Sequence, residues 1–338
     1  VNLHISRRVW LSGLALIAIG AGLAGCLPTA RPQSRFGFTI SPPTADFGQF
    51  ERDVRAANTL GAGWVRFGVI ADDVVESWFS DDGVTFDESG FAMYRRALKV
   101  AVDAGLAVCL LTVDGVTGVP EEKRYLNLMG QYWSAAAERL GRWVLQWQVF
   151  NEANDLDFRT AAAISGSYDT YLSDLGQALG RARSEIHRHA PHVAVTTNAG
   201  GYPVDDSTEA NWQVFFGAVA DRLDLVTVDV YPVLSDEAIR SLPHRIDRLA
   251  KATGKPIAVG EFGLQTGPGL YTEAEQVVSL SKTIGALAQT NAAPVIAYRL
   301  RDDGAVNDDG FGLIEQNGTP KSSLKAVSTA IAEEFPEG

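Results

Sequence analysis

Two glutamates, Glu152 and Glu261, stand 109 residues apart, each at the end of a short apolar run. Paired carboxyls of this kind suit cleavage of a glycosidic bond with retention of configuration. One carboxyl protonates the leaving oxygen, and a second, about 5–5.5 Å away, attacks the anomeric carbon. The two tasks need opposite ionisation, so the surroundings of the two groups have to differ. Arg66 and Tyr231 are the residues placed to donate to Glu261 and keep it charged. Glu152 has no cationic neighbour along the chain and is free to hold a proton.

Residues so distant in sequence meet only if a regular scaffold carries them. After Arg35 the chain alternates short apolar runs with longer stretches of helical period. The runs fall at residues 36–40, 64–69, 107–113, 145–151, 193–198, 225–231, 257–262 and 295–300. Between the second and third runs, Phe91, Tyr94, Leu98, Ala101 and Val102 share one helix face, and Gly105 follows as a terminating glycine. Strands alternating with helices imply a parallel sheet covered by helices. Eight such units in one chain of this length predict an α/β fold, a (β/α)8 barrel over residues 36–338. No G-x-G-x-x-G follows the first run, which argues against a dinucleotide-binding sheet. In such a barrel the site lies at the C-terminal ends of the strands. That rule selects Arg66, Asp114, Asn151, Glu152, Asn198, Tyr231, Glu261 and Tyr298. Trp78 and Trp212, near loop–helix junctions, are the aromatic candidates for stacking on a sugar.

The residues also carry a resemblance. Trp147-Gln148-Val149-Phe150-Asn151-Glu152-Ala153-Asn154 resembles the strand-four motif of glycoside hydrolase clan A, and Pro256-Ile257-Ala258-Val259-Gly260-Glu261-Phe262-Gly263 resembles its strand-seven motif. The segment from Trp78 to Asp87 is similar to the loop that joins strand two to helix two in many members. Arg301-Asp302-Asp303-Gly304 and the Phe311-Gly312-Leu313-Ile314 segment, with Gly318-Thr319-Pro320-Lys321, are similar to the strand-eight loop and its exit. The likeness spans residues 36–332. It implies Glu152 as acid/base, Glu261 as nucleophile and Asn151 as a contact to the sugar 2-hydroxyl. Two departures stand out. Asp229-Val230-Tyr231 occupies the place where family 5 members often carry His-x-Tyr, and Tyr298 and Leu300 fill the region where a strand-eight Trp is expected.

The remaining composition narrows the partners. The 338 residues carry a formal charge of −12, which argues against nucleic acid or anionic lipid as ligand. The expected partner is a carbohydrate substrate, with no cofactor, no metal and a monomeric chain. His187, His189 and His192 fall at the end of one helix, where positive charge is favoured, and their spacing does not read as a metal site. His244 reads as a surface or packing residue. Of the two cysteines, Cys109 lies in an apolar run and reads as a buried thiol.

Residues 1–25 pair Arg7 and Arg8 with an apolar stretch too short to span a bilayer, as in a secretory signal. Leu23-Ala24-Gly25-Cys26 resembles a bacterial lipobox, and the twin arginines resemble a twin-arginine export signal. The expectation is an exported lipoprotein, anchored through Cys26, with residues 26–35 as tether and membrane contact only through that lipid. Two rival readings are a catalytically silent carbohydrate-binding barrel and a barrel hydrolase of another bond, the latter disfavoured because metal-ligand motifs are missing.

Overall fold

The structure, a computed structural model, describes residues 32–80, 83–113, 115–116, 122–155, 167–304 and 310–335. Asp114, Cys26, the signal segment and most of the tether therefore lie outside the described residues.

The elements follow in the expected alternation. They are β1 (Phe36–Thr39), α1 (Phe47–Thr59), β2 (Trp64–Val69), β3 (Val75–Ser80), β4 (Gly83–Phe86), α2 (Glu88–Asp103) and β5 (Ala107–Thr112). Then come α3 (Glu122–Leu140), β6 (Gln146–Val149), α4 (Tyr168–His189), β7 (Ala194–Thr196), β8 (Asn198–Ala199), α5 (Asp206–Val219) and β9 (Val226–Asp229). The last are α6 (Asp236–Thr253), β10 (Ile257–Glu261), α7 (Glu273–Ala288), β11 (Val295–Ala297) and α8 (Ser322–Glu334).

One parallel sheet takes the order β7-β6-β5-β2-β1-β11-β10-β9-β8. β7 and β8 are separated by Thr197 alone. β7 pairs with β6 and β8 with β9, so these two pieces form one strand position and close an eight-fold barrel. All eight apolar runs become barrel strands. The connection expected between strand two and helix two is itself folded as an antiparallel hairpin, β3–β4, which includes Trp78. Its alternating Val, Trp, Phe and Thr residues favour extended chain, and a loop this long gains by pairing with itself.

The helices begin and end where side chains can satisfy their free backbone groups. Asp46, Asp87, Ser167, Asp205 and Ser235 each accept an N–H of the first turn, and Thr272 with Glu275 forms a reciprocal capping box. Gly105 adopts φ +81° after α2, a left-handed turn that a side chain would strain.

The main core lies between the sheet and its helices, and a small second cluster lies inside the barrel floor. That inner cluster is Trp64, Ala107, Cys109 and Ile296. Gly37 makes room for it, because a Cβ there would lie 2.6 Å from Trp64 and 2.7 Å from Ile296. The first strand and the last helix of the barrel are joined by Phe335, which packs edge-on against Phe36 at 5.5 Å, and Arg35 donates to the carbonyls of Ala288 and Ala292. Above its apolar floor the barrel interior turns polar: Thr196 and Thr227 share a hydroxyl hydrogen bond of 2.8 Å, and Arg66, Gln148 and Asn198 follow toward the mouth.

Candidate active site

Arg66 projects from β2 into the barrel and is 2% exposed. A buried guanidinium needs hydrogen-bonding partners, and this one has four. It donates to Gln148 (2.9 Å), Thr39 (3.3 Å) and Asn151 (2.9 Å), and forms an ion pair of 2.8 Å with Glu261. Burial opposes the charge on Arg66, but Glu261 and Asp229 outweigh it and raise its pKa. Glu261 receives a second donor, the Tyr231 hydroxyl, at 2.7 Å. Burial and the neighbouring Glu261 charge push the Tyr231 pKa well up, so the phenol keeps the proton it donates.

Glu152 is set in the opposite way. It follows β6 on a turn in which Phe150 (φ +66°) and Glu152 itself (φ +41°) are left-handed. Such conformations cost about 1–3 kcal/mol each and persist only where surrounding contacts impose them. Here the Asn198 side chain accepts the Glu152 N–H at 2.8 Å, and Ala153 N–H donates to the Asn198 carbonyl at 3.2 Å. Burial, and then the charge of Glu261, push the Glu152 carboxyl up to about 8. The two glutamates thus face one cavity in contrasting states: one clamped by a cation and a phenol, the other inclined to keep its proton.

Asn151 and Asn198 connect the two. The Asn151 Oδ1 accepts from Arg66, from Gln148 (3.3 Å) and from Asn198 (3.2 Å), which leaves Nδ2 as the end offered to the cavity. Asn198 is itself fully buried and acts through its neighbours. The cavity above has a volume of about 890 Å³ and is lined by Arg66, Asn151, Glu152, Tyr231, Glu261 and Tyr298 among others. That size suits one or a few sugar rings.

The aromatic wall of the cavity differs from the one expected of Trp78 and Trp212. Trp212 is fully buried on α5, its indole N–H bound to the Gly200 carbonyl at 3.1 Å, so it offers no face to a ligand. Trp78 lies outside the cavity lining. It packs edge-on against Tyr132 at 5.7 Å, over Gly115, where a Cβ would come within 2.5 Å of the indole. The wall is built instead from Tyr202, Tyr231, Tyr271, Tyr298 and Phe311. Tyr298 and Phe311 meet at 5.4 Å, and Tyr202 stands 66% exposed at the rim. Tyr202 follows the fifth barrel position by three residues, so the strand-end rule, carried slightly further along the loop, would have found it. Arg299, also on the wall, is paired with Asp303 and donates to Ser41 at 2.8 Å.

The other singled-out side chains fall elsewhere. His187 contacts Asp224 and the Val193 carbonyl, both at 3.0 Å, and His189 meets Ser134 at 3.0 Å. Among the described residues no group of His, Cys, Asp and Glu could hold a metal. Burial raises the Cys109 thiol to about 12, so it stays protonated inside the barrel.

No family model and no curated protein matches the sequence. Solved structures do match. The apo structure of a β-glucosidase superposes with a TM-score of 0.69 at 16% identity, over 86% of this chain and 89% of that one. GH5_18 from Bifidobacterium longum, in complex with Manβ1-4GlcNAc, gives 0.69 at 12% identity over 88% and 78%. The hyperthermophilic β-glucosidase from Pyrococcus furiosus gives 0.66 at 14% identity over 88% and 95%. These neighbours include β-glucosidases, and what this chain shares with them along most of its length is the (β/α)8 barrel fold.

Proposed function

We propose that the protein is a retaining glycoside hydrolase that cleaves O-glycosidic bonds by double displacement. The observation that carries the reading is the contrast between two carboxyls in one cavity: Glu261 held between Arg66 and Tyr231, Glu152 buried with its pKa raised to about 8. In the first step the Glu152 proton passes to the leaving oxygen while a Glu261 oxygen attacks the anomeric carbon. In the second, water attacks the resulting glycosyl ester and gives its proton back to Glu152. Asn151 Nδ2 is positioned to meet a ring hydroxyl, and the tyrosine-rich wall supplies apolar faces for the sugar. One carbohydrate complex and two β-glucosidases among the structural neighbours support a β-glycoside as the substrate class.

The test is a panel of 2-deoxy-2-fluoro glycosides with activated leaving groups. The fluorine slows both steps, and the leaving group lets the first outrun the second, so an ester accumulates. Peptide mass spectrometry should place it on Glu261. An ester on Glu152 would reverse the roles, and hydrolysis with inverted anomeric configuration would remove double displacement. Binding of sugars without any ester or turnover would favour a silent barrel.

A further inference from the structure

We propose that Asp229 is the positioning partner of Glu152, a second carboxyl that keeps its own proton and hydrogen-bonds Glu152 through both halves of the catalytic cycle. The inference rests on Glu152 being the acid/base.

The geometry starts at the end of β9. Asp229 is fully buried there. Its Oδ2 accepts from the Asn198 amide, while its Oδ1 is buried and receives no hydrogen bond from any described donor. A buried carboxylate oxygen without a donor is costly, and a proton on the carboxyl removes that cost. The Glu152 carboxyl lies within hydrogen-bonding reach of Asp229. Two carboxyls can bond to each other only if at least one carries a proton. A glycine beside each carboxyl leaves it room. A Cβ at Gly200 would lie 2.5 Å from the Glu152 Oε1, and one at Gly260 would lie 2.7 Å from the Asp229 Oδ1.

Charge leads to the same arrangement. The groups that face Asp229 are Glu261, Glu152, Arg66, Tyr231 and Cys109, and Asp155 also bears on Glu152. Among these Arg66 is the single cation, and it is committed to Glu261. Tyr231 and Cys109 hold their protons. Asp229 and Glu152 are therefore left without a counter-charge, and burial together with the other carboxylates raises both. When Glu152 gives its proton to the leaving oxygen, the new carboxylate accepts a hydrogen bond from the Asp229 O–H. When water attacks the ester, its proton returns to Glu152 and Asp229 is unchanged. A histidine at this position, if protonated, would pull the Glu152 proton off; a neutral carboxyl does not.

The test is Asp229→Asn, with wild type alongside. The amide keeps the shape and donates permanently to Glu152, so it favours the Glu152 carboxylate and removes a neighbouring acid. The alkaline limb of kcat/KM should move down by about one pH unit or more. At pH 8 a glycoside with a poor leaving group should lose about fivefold or more, while glycosylation by a dinitrophenyl glycoside stays within about twofold. Carboxyl ¹³C titration reads the pair without turnover. Wild type should show two coupled resonances above the usual carboxylate range, and Asp229→Asn should bring the Glu152 midpoint down. An unmoved alkaline limb, or equal losses on both substrates, would make Asp229 merely structural and overturn the proposal. If the variant does not fold, wild type decides alone: no coupled, raised pair means no shared proton. Hydrolysis that survives in Glu152→Gln would instead sink the acid/base reading, leaving the titration result standing.

Discussion

Glu152 and Glu261 meet at one mouth because a barrel gathers its strand ends there, and the order of the strands is enough to place them. Their partners were partly legible. Arg66 and Tyr231 were found as donors, whereas Asp229 was noted only as a departure, because an Asp at a strand end ordinarily reads as a solvated loop residue. Its burial is a property of the closed barrel, which no local pattern carries. The raised Glu152 pKa has a consequence for stability, with a definite sign. In the unfolded chain a Glu ionises near 4.5, and in the folded protein Glu152 ionises near 8. Between those values the unfolded state has shed a proton that the folded state retains, so rising pH drains stability through this group. Glu152→Gln carries no such proton. Its unfolding free energy should match wild type near pH 4 and exceed it increasingly up to pH 8, at no more than ~1.4 kcal/mol per pH unit. Denaturant titrations at four pH values check this, and a gap that closes with rising pH would contradict the raised value.

At the scale of elements, the strands were readable because each is a short apolar run with one face toward the helices and the other into a filled interior. The β3–β4 hairpin was not, since its residues alternate over too short a span to announce a partner. Nor was the fate of the tryptophans. A Trp beside a loop is equally suited to a ligand or to a neighbouring helix, and Tyr132 and Gly115 settled Trp78 in favour of packing. Glycines at the strand ends carry more information than they first suggest. Gly200 has no backbone need for glycine in the left-handed sense, yet the atoms a Cβ there would meet first are the Glu152 carboxyl and its stem. Gly200→Ala should therefore keep the fold, with a melting temperature within about 2 °C of wild type, and displace one side chain. The expected result is a fall of at least tenfold in kcat/KM for substrates that need a proton on the leaving group. Smaller losses there than on activated substrates would show that the clash is absorbed elsewhere.

For the molecule as a whole, counting eight runs foretold the closed barrel but not that one of its strand positions is split at Thr197. β2 and β5 pair along six residues, whereas β6 meets β7 along three and β8 meets β9 along two. The missing ladder is replaced by one side chain: Asn198 reaches Gln148 and the Glu152 N–H on one flank and Asp229 on the other. The same amide that spans the gap holds the candidate acid in its strained turn. Partial opening at Thr197 would thus dismantle the chemistry while most of the sheet, and the helices around it, remain paired. Turnover should then vanish at urea concentrations where circular dichroism still reports a folded chain, and amide protons of Ala194–Thr196 should exchange ahead of those of β2 and β5. Coincident loss of activity and ellipticity would show the seam to be as firm as the rest. Under mild denaturing stress, a barrel jointed in this way would switch off reversibly before exposing its core to aggregation.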